Sequence, residues 1–206
     1  MLLYINACVR EESRTRRLAE YLIEGLGEPV CEARLCDFSF PPADSRFLKL
    51  RDELIKRGEF TNPLFDAARQ FAAADTVVVA APYWDLSFPA ALKQYFEQIN
   101  AAGVTFYYTP EGVPVGLCRA KRLYYVTTAG GRIFSEEYGY GYVRALAEGF
   151  YQIPETRLIK AEGLDIQGAD TEQIMSLAQR AVDEMLEKEQ GSGRQKAAAP
   201  AKQARG

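Results

Sequence analysis

The chain has 206 residues, enough for one domain with a substantial core, and its 48 % hydrophobic and 26 % charged residues are close to the globular average. It contains no histidine, which excludes Ser-His-Asp and Cys-His catalysis and most catalytic zinc sites. The net charge is −3, and removing the four positive charges after residue 189 leaves −7 for residues 1–189. Such an acidic body is not expected to bind nucleic acid.

Strand-like and helical patterns alternate along the chain. The predicted strands cover residues 2–5, 30–35, 76–81, 122–127 and 156–161. The predicted helices cover residues 13–26, 47–57, 63–74, 89–100, 138–151 and 171–187. Residues 37–46 read as a loop and residues 104–117 as a hairpin. Gly27 is expected to end the first helix, and Asn62 and Thr171 are expected to be N-caps.

Five strands that alternate with helices predict an α/β fold with a doubly wound, five-stranded parallel sheet, covered by helices on both faces. We expect the flavodoxin-like strand order. Residues 1–189 form the single predicted domain. Residues 190–206 are low in complexity and lack large apolar side chains, so they are expected to be a disordered basic tail.

No apolar run approaches the roughly 18 residues of a membrane span, and the N-terminal MLLYIN lacks the features of a signal peptide. We therefore expect a cytoplasmic protein with no membrane partner. The cysteines show neither a CxxC pair nor metal-finger spacing, so reduced, mostly buried thiols and no metal site are predicted. They are Cys8, Cys31, Cys36 and Cys118.

Ligands of such a sheet bind beyond the carboxyl ends of its strands. The loop after the first strand, NACVREESRT, runs into a helix start where Ser13, Thr15 and free N–H groups could hold an anion. Arg10 and Arg14 could add positive charge. The alternative is that Ser13 or Thr15 only caps the helix. Neither a P-loop nor a GxGxxG pattern is present.

The loop after the third strand, PYWDLSFP, is the most unusual of the connections. Pro82 and Pro89 stiffen its ends, and its backbone groups are expected to remain free of strand pairing. Tyr83 and Trp84 could frame a flat heteroaromatic ring, or could instead fill a subunit interface. After the fourth strand, the glycine pair of TTAGGRIF allows close backbone approach or forms a simple turn.

Four segments together resemble the flavodoxin-like NAD(P)H-dependent oxidoreductases, which include FMN-dependent NADH-azoreductases and NAD(P)H:quinone reductases. The segments are LLYINACVREESRTRRLAE, AAPYWDLSFPAALKQYFEQINAAGVTFYYTPEGVPVGL, YYVTTAGG and AEGLDIQGAD. The resemblance extends from residue 1 to about residue 188. It implies a homodimer with one FMN per subunit at the dimer interface, and NADH or NADPH as the electron donor. It also implies ping-pong transfer of two electrons to a small-molecule quinone, azo or nitro acceptor.

The same resemblance assigns residues to the site. Arg10, Ser13 and Thr15 fall in the phosphate-binding loop. The positions that line the flavin ring are Pro82, Tyr83, Trp84, Asp85 and Leu86. The opposite rim of the flavin is formed by Thr128, Gly130 and Gly131, and the substrate pocket by Phe106 and Tyr108 of the hairpin, which reach toward the partner's site.

This chain departs from the azoreductase branch, which usually has serine at the position of Cys8 and asparagine at that of Asp85. The departures leave the preferred acceptor open. One alternative is a non-enzymatic flavodoxin-like electron carrier or redox sensor. Another is a low-molecular-weight cysteine phosphatase, because Cys8 and Arg14 fit a CxxxxxR[ST] pattern after the first strand.

Overall fold

The computed structural model describes the backbone of residues 1–198 and the side chains of residues 1–189. Within that part the strands are β1 (Leu2–Asn6), β2 (Val30–Arg34), β3 (Thr76–Ala80), β4 (Phe106–Tyr108), β5 (Pro114–Gly116), β6 (Arg122–Thr128) and β7 (Glu155–Ala161). The α-helices are α1 (Arg14–Leu26), α2 (Ser45–Arg57), α3 (Asp66–Ala73), α4 (Ala90–Ile99), α5 (Tyr142–Leu146) and α6 (Thr171–Ala198). Short 3₁₀ turns cover Leu35–Asp37 and Pro63–Phe65.

Five of the strands form one parallel sheet in the order β2-β1-β3-β6-β7. Counted among themselves, these strands have the order 2-1-3-4-5, so the predicted flavodoxin-like, doubly wound sheet is confirmed. The remaining strands, β4 and β5, pair antiparallel as the predicted hairpin. The chain passes from β1 to β2 on one side of the sheet and then returns to place β3 on the other side of β1. The direction of winding therefore switches between β1 and β3.

The central strands are buried on both faces because helices cover each side of the sheet. Alternate residues of β3 point in opposite directions, so Val77 and Val79 pack in one core cluster with residues of α2, α3, α4 and α5. Val78 and Ala80 pack in a second cluster with residues of α1 and α6. The edge strands β2 and β7 instead alternate buried and exposed positions. This explains why the central strands were the clearest apolar runs in the sequence.

Most helix ends lie close to the predicted positions. Gly27 ends α1 with a left-handed φ of 64°, and Asn62 accepts a hydrogen bond from the N–H of Leu64, as expected of an N-cap. The predicted cap of α6 is wrong: the Asp170 carboxylate accepts from the Gln173 N–H at 2.9 Å. The Thr171 hydroxyl donates to the Leu164 carbonyl instead, because a helix that already starts at Thr171 needs its cap one residue earlier.

The helix predicted over residues 138–151 is not uniform. Only α5 is α-helical, and it is flanked by π turns at Glu137–Gly141 and Ala147–Tyr151. The Gly141 N–H donates to the Glu136 carbonyl at 2.7 Å, a bond that spans five residues. Three glycines lie in this stretch, and their weak helix propensity permits the wider turns.

Helix α6 is longer than predicted. It continues to Ala198, so residues 190–198 of the expected disordered tail are helical, and residues 199–206 lie outside the described residues. The sequence RQKAA at 194–198 consists of good helix formers, which outweighs the two preceding glycines. No helix in residues 1–198 combines the length and the apolar content that crossing a membrane requires.

Candidate active site

A cleft of about 220 Å³ opens beyond the carboxyl ends of β1, β3 and β6. It lies at the switch point of the sheet, where ligands of doubly wound folds bind. The loops after these three strands line it, as the sequence predicted. The predicted cofactor residues that the cleft brings together are Arg10, Ser13, Thr15, Pro82, Tyr83, Trp84, Thr128 and Gly130. Asp85, Leu86 and Gly131 do not line it.

The N-terminus of α1 forms one wall of the cleft and suits an anion. Ser13 is the N-cap, and its hydroxyl accepts a hydrogen bond from the Arg16 N–H at 3.2 Å. The N–H groups of Arg14 and Thr15 have no hydrogen-bond partner within residues 1–198. The first turn contains no acidic residue, so these donors and the helix dipole are available to a negatively charged ligand.

Thr15 and Thr128 join this helix to the sheet. Both side chains are buried, and their hydroxyl oxygens are 2.6 Å apart, so one of them donates to the other. The hydroxyl of Thr15 is therefore used mainly inside the protein. What the residue offers to the cleft is its backbone N–H.

The loop after β3 is a tight hairpin turn. The backbone groups of Trp84 and Ser87 exchange two hydrogen bonds, 3.1 and 2.8 Å long, around Asp85 (φ 50°) and Leu86 (φ 67°). Two positive φ angles are typical of a type I′ turn, which normally contains asparagine and glycine. A leucine there stores roughly 1 kcal/mol of strain, and such strain is often found at functional sites.

The turn corrects the expectation that the backbone groups of this loop remain free. The Tyr83 N–H donates to the Thr128 carbonyl at 3.0 Å, and Trp84 and Ser87 satisfy each other. Within the described chain, the N–H groups of Asp85 and Leu86 remain without partners. These two donors are at the tip of the turn, next to the half-exposed ring of Trp84.

Two side chains tie this turn to the segment that follows β6. The Tyr83 hydroxyl donates to the Ser135 carbonyl at 3.3 Å, and the Ser87 hydroxyl donates to the Tyr138 carbonyl. Phe134, which directly precedes the first anchor, has a side chain that is 85 % accessible. The hydrogen bonds thus join the turn to a segment that carries two large exposed apolar side chains, Phe134 and Tyr138.

Three residues line the cleft although they were not predicted to be at the site: Val9, Glu12 and Asp165. Arg14, which was expected to add positive charge to the anion-binding loop, also lines it. Asp165 follows β7 and pairs with Arg14, which holds the pKa of the Asp165 carboxyl below its usual value. Two sequence signals point to the neighbourhood of Asp165: its position in the loop after the carboxyl end of a strand, and the segment AEGLDIQGAD that contributes to the family resemblance. That loop was not among the three predicted to form the site.

The hairpin residues predicted for the substrate pocket do not reach the cleft. Phe106 is buried and packs edge-on against Phe150 of its own chain, with ring centroids 4.9 Å apart. The ring is used in the core of its own subunit, and its role at the partner's site stays a prediction. Tyr108 is exposed, so for this residue the prediction stays open.

The environment of Cys8 argues against a phosphatase. Its side chain is 1 % exposed, its thiol lies 3.8 Å from the Ala80 carbonyl, and burial raises its pKa to about 11. A phosphatase nucleophile needs a lowered pKa and an accessible sulfur. Arg14, the second residue of the motif, is paired with Asp165.

All four cysteines are free thiols, as predicted, but most of them are not buried. Cys8 is buried, Cys31 and Cys118 are partly buried, and Cys36 is exposed, which corrects the expectation of mostly buried thiols.

Comparisons with known proteins place the chain in a family. A family profile described as the flavodoxin-like fold matches residues 1–186. An FMN-dependent NADH:quinone oxidoreductase 2 of Clostridium acetobutylicum is 36 % identical over 186 residues, covering 84 % of this chain and 92 % of the relative. An FMN-dependent NADH:quinone oxidoreductase of Lachnoclostridium phytofermentans is 35 % identical, covering 83 % of this chain and 90 % of the relative.

Solved structures show the same fold. An azoreductase from Bacillus anthracis superimposes with a TM-score of 0.77 at 24 % identity, covering 91 % of this chain and 98 % of the other. An FMN-dependent NADH-azoreductase from the same species, solved in complex with FMN, gives a TM-score of 0.75 at 23 % identity, covering 91 % of this chain and 97 % of the other. The chain belongs to the flavodoxin-like family that includes the FMN-dependent NADH:quinone oxidoreductases.

Proposed function

We propose that this protein is an FMN-dependent NADH:quinone oxidoreductase that also reduces azo and nitro compounds. The observation that carries the proposal is the cleft at the switch point of the sheet, where an anion-binding helix terminus and an aromatic turn lie together. The names of the curated relatives supply the cofactor, the donor and the quinone acceptor. The absence of histidine is compatible with this chemistry, because hydride transfer requires no side-chain base.

The donor set of the cleft fits a flavin mononucleotide. The unpartnered N–H groups at the start of α1, together with Arg10 and Arg14, suit a phosphate monoester. Gly130 lines the cleft, and its missing side chain leaves the space that the Asp165 carboxylate occupies. Trp84 presents a ring that is 38 % exposed, which suits the flat face or edge of an isoalloxazine.

A bound flavin would supply the chemistry, which is uptake of a hydride from NADH and transfer of two electrons to the acceptor. The residues of this chain bind and orient it. The free N–H groups of Asp85 and Leu86 are placed to donate to a polar ring edge, and their strained turn is fixed by the Ser87 hydroxyl. Trp84 covers part of the cleft and limits the access of water. In this proposal donor and acceptor use the same face in turn, which gives a ping-pong sequence.

We also propose that two chains form a homodimer with the clefts at their interface. Four large exposed apolar side chains support this, and they lie on the turn after β3 and the segment after β6: Trp84, Leu86, Phe134 and Tyr138. Patches of this kind mark interfaces. We place the enzyme in the cytoplasm, where exposed thiols such as Cys36 remain reduced.

Steady-state kinetics of the purified full chain loaded with FMN tests the proposal. NADH and NADPH are each titrated against menadione, an azo dye and a nitroaromatic compound. We expect oxidation of NADH with menadione, and parallel double-reciprocal lines when both substrates are varied. Azo and nitro reduction should follow the same pattern.

Three results would contradict parts of the proposal. A protein that binds FMN but oxidises no nicotinamide with any acceptor is an electron carrier and not an enzyme. Intersecting lines would exclude the ping-pong sequence. A colourless protein that does not take up FMN would reject the assignment as a whole.

A further inference from the structure

Arg14 and Asp165 form an ion pair beside the cleft, between the first residue of α1 and the segment that follows β7. Nη1 of Arg14 lies 2.7 Å from Oδ1 of Asp165, and Nη2 lies 3.1 Å from Oδ2, so the guanidinium meets the carboxylate end-on. Nη1 also donates to the Leu164 carbonyl at 3.4 Å. Arg14 is therefore oriented by a bidentate pair and a backbone oxygen.

This arrangement leaves one edge of the guanidinium free. Arginine has five N–H donors, and the three bonds described above use both donors of Nη1 and one of Nη2. The Nε–H and the second donor of Nη2 have no partner within residues 1–189. Two parallel donors on a planar edge match two oxygens of a phosphate group.

The backbone holds Asp165 in this position. Its N–H donates to the Gly130 carbonyl at 2.8 Å, and the N–H of Gly163 donates to the Gly131 carbonyl at 2.8 Å, which extends the pairing of β6 and β7 beyond their ends. A methyl group on Gly130 would overlap Oδ2 of Asp165. The missing side chain of Gly130 thus makes the position of the carboxylate possible.

Stability does not explain the pair. The side chains of Arg14 and Asp165 are 31 % and 63 % exposed, and ion pairs of such exposure contribute about 0–1 kcal/mol. A second pair, Arg17 with Glu172, joins α1 to the start of α6 outside the cleft, at 46 % and 75 % exposure. This pair offers a matched control, because it is also an arginine–carboxylate ion pair but does not line the cleft.

We propose that Asp165 is a positioning residue: it fixes Arg14 so that the free edge of the guanidinium binds the phosphate of a flavin mononucleotide. The site thereby selects FMN over riboflavin, which has the same ring system but no phosphate. The inference rests on the proposed function, because it assumes that the cleft takes a flavin. Asp165 itself does not touch the cofactor. Its negative charge weakens phosphate binding less than the orientation of Arg14 strengthens it.

Flavin binding by the full chain, freed of flavin, tests this proposal. FMN and riboflavin are titrated separately, and quenching of flavin fluorescence gives each Kd. Asp165→Ala should raise the Kd for FMN about tenfold, the effect of one charge-assisted hydrogen bond, and should leave that for riboflavin within about twofold. Glu172→Ala, the matched control, should change neither.

Two further variants separate positioning from charge. Arg14→Ala should weaken FMN binding at least as much as Asp165→Ala, and the double variant should bind no more weakly than Arg14→Ala alone. Gly130→Ala displaces the carboxylate without removing its charge and should also reduce the preference for FMN. Gly149→Ala, where a methyl group meets no atom within 4 Å, controls for the loss of a glycine.

The outcomes that overturn the inference are distinct from failure of the proposed function. Tighter FMN binding by Asp165→Ala would mean that the carboxylate only repels the phosphate. Equal losses for FMN and riboflavin would mean general damage to the cleft. An unchanged Kd of Asp165→Ala for FMN would mean that Asp165 has no role in binding the phosphate. If the wild-type protein binds neither flavin, the proposed function fails and the inference fails with it.

Discussion

Trp84 is the chain's single tryptophan and lies half-exposed on the wall of the cleft. Replacing it with alanine removes a ring that is 38 % exposed, so the free energy of unfolding should fall by less than about 1 kcal/mol. If the ring contacts the flavin, the Kd for FMN should rise roughly 3- to 10-fold, as expected for an aromatic pair. Thermal melting and fluorescence titration measure the two effects.

Leu177→Ala serves as the control for Trp84→Ala, because Leu177 is an exposed apolar residue on α6, away from the cleft. It should leave FMN affinity unchanged. A Trp84 variant that melts much earlier but binds FMN normally would show that the ring is structural packing.

Ionisation of the Cys8 thiol is expected to make the free energy of unfolding depend on pH in the alkaline range. Its pKa is raised to about 11 in the folded protein by burial, against a usual value of about 9. Below pH 9 the thiol is protonated in both states; between pH 9 and 11 the unfolded state loses the proton first, so stability falls as the pH rises. From pH 8 to pH 10 the loss should be about 1 kcal/mol.

Urea unfolding of wild type and Cys8→Ser at pH 8, 9 and 10 measures this term. The serine variant should lack that part of the alkaline loss, since its hydroxyl does not ionise in this range. Identical pH profiles would show that Cys8 is more accessible than its position suggests. They would also reopen the question of a reactive thiol.

At the scale of elements, the turn at 84–87 combines an unfavourable backbone with an exposed side chain. Leu86 has a φ of 67° and an exposed side chain. Burial of the side chain therefore stabilises the fold little, while the left-handed backbone conformation destabilises it. Leu86→Asn should raise the free energy of unfolding by about 0.5–1 kcal/mol, because asparagine tolerates this region. Urea unfolding measures the change.

Leu177→Asn is the matched control for Leu86→Asn. Leu177 is exposed to a similar degree but is helical, so asparagine should destabilise the protein there by a few tenths of a kcal/mol. A Leu86→Asn variant that is less stable than wild type would contradict the turn geometry. Measuring the Kd for FMN of the same two variants shows whether the strained turn contributes to cofactor binding.

The elements that were predicted well are those whose signal is local. The buried strands and α1 have unbroken apolar or helical patterns, and Gly27 marks an end by its own chemistry. The I′ turn was not predicted, because Asp85 and Leu86 are not the residues that such turns prefer, and tertiary contacts fix the conformation. The π turns around α5 likewise lack a local signal that distinguishes them from an α-helix. The extension of α6 has such a signal in the helix formers at 194–198, but the low complexity of the segment led to the prediction of a tail.

For the whole molecule, the strand order could be predicted because alternating strands and helices allow few topologies. The order in turn predicts that the loops after β1, β3 and β6 meet. Asp165 was not predicted, because its role depends on the ladder that continues past β6 and β7 to Gly130. The burial of Phe106 was not predicted for the complementary reason: it depends on Phe150, far along the chain.

The proposed dimer predicts a variant that separates the subunits. Phe134 is 85 % exposed and directly precedes Ser135, whose carbonyl accepts a hydrogen bond from Tyr83 on the wall of the cleft. Phe134→Glu would place a charge in an apolar interface, where an unpaired charge costs several kcal/mol, so the protein should become monomeric and lose FMN affinity. Light scattering after size-exclusion chromatography measures the mass over a range of concentrations.

Val30→Glu provides the control for the dimer variant. Val30 is also exposed, but it begins β2 at the amino end of the sheet, opposite the cleft. This variant should remain dimeric, because a charge there faces solvent. A monomeric wild-type protein would reject the proposed dimer, and a Phe134→Glu protein that remains a dimer would place the interface elsewhere. In either case the flavin cleft would have to be complete within one chain, and Trp84 would be part of its outer wall.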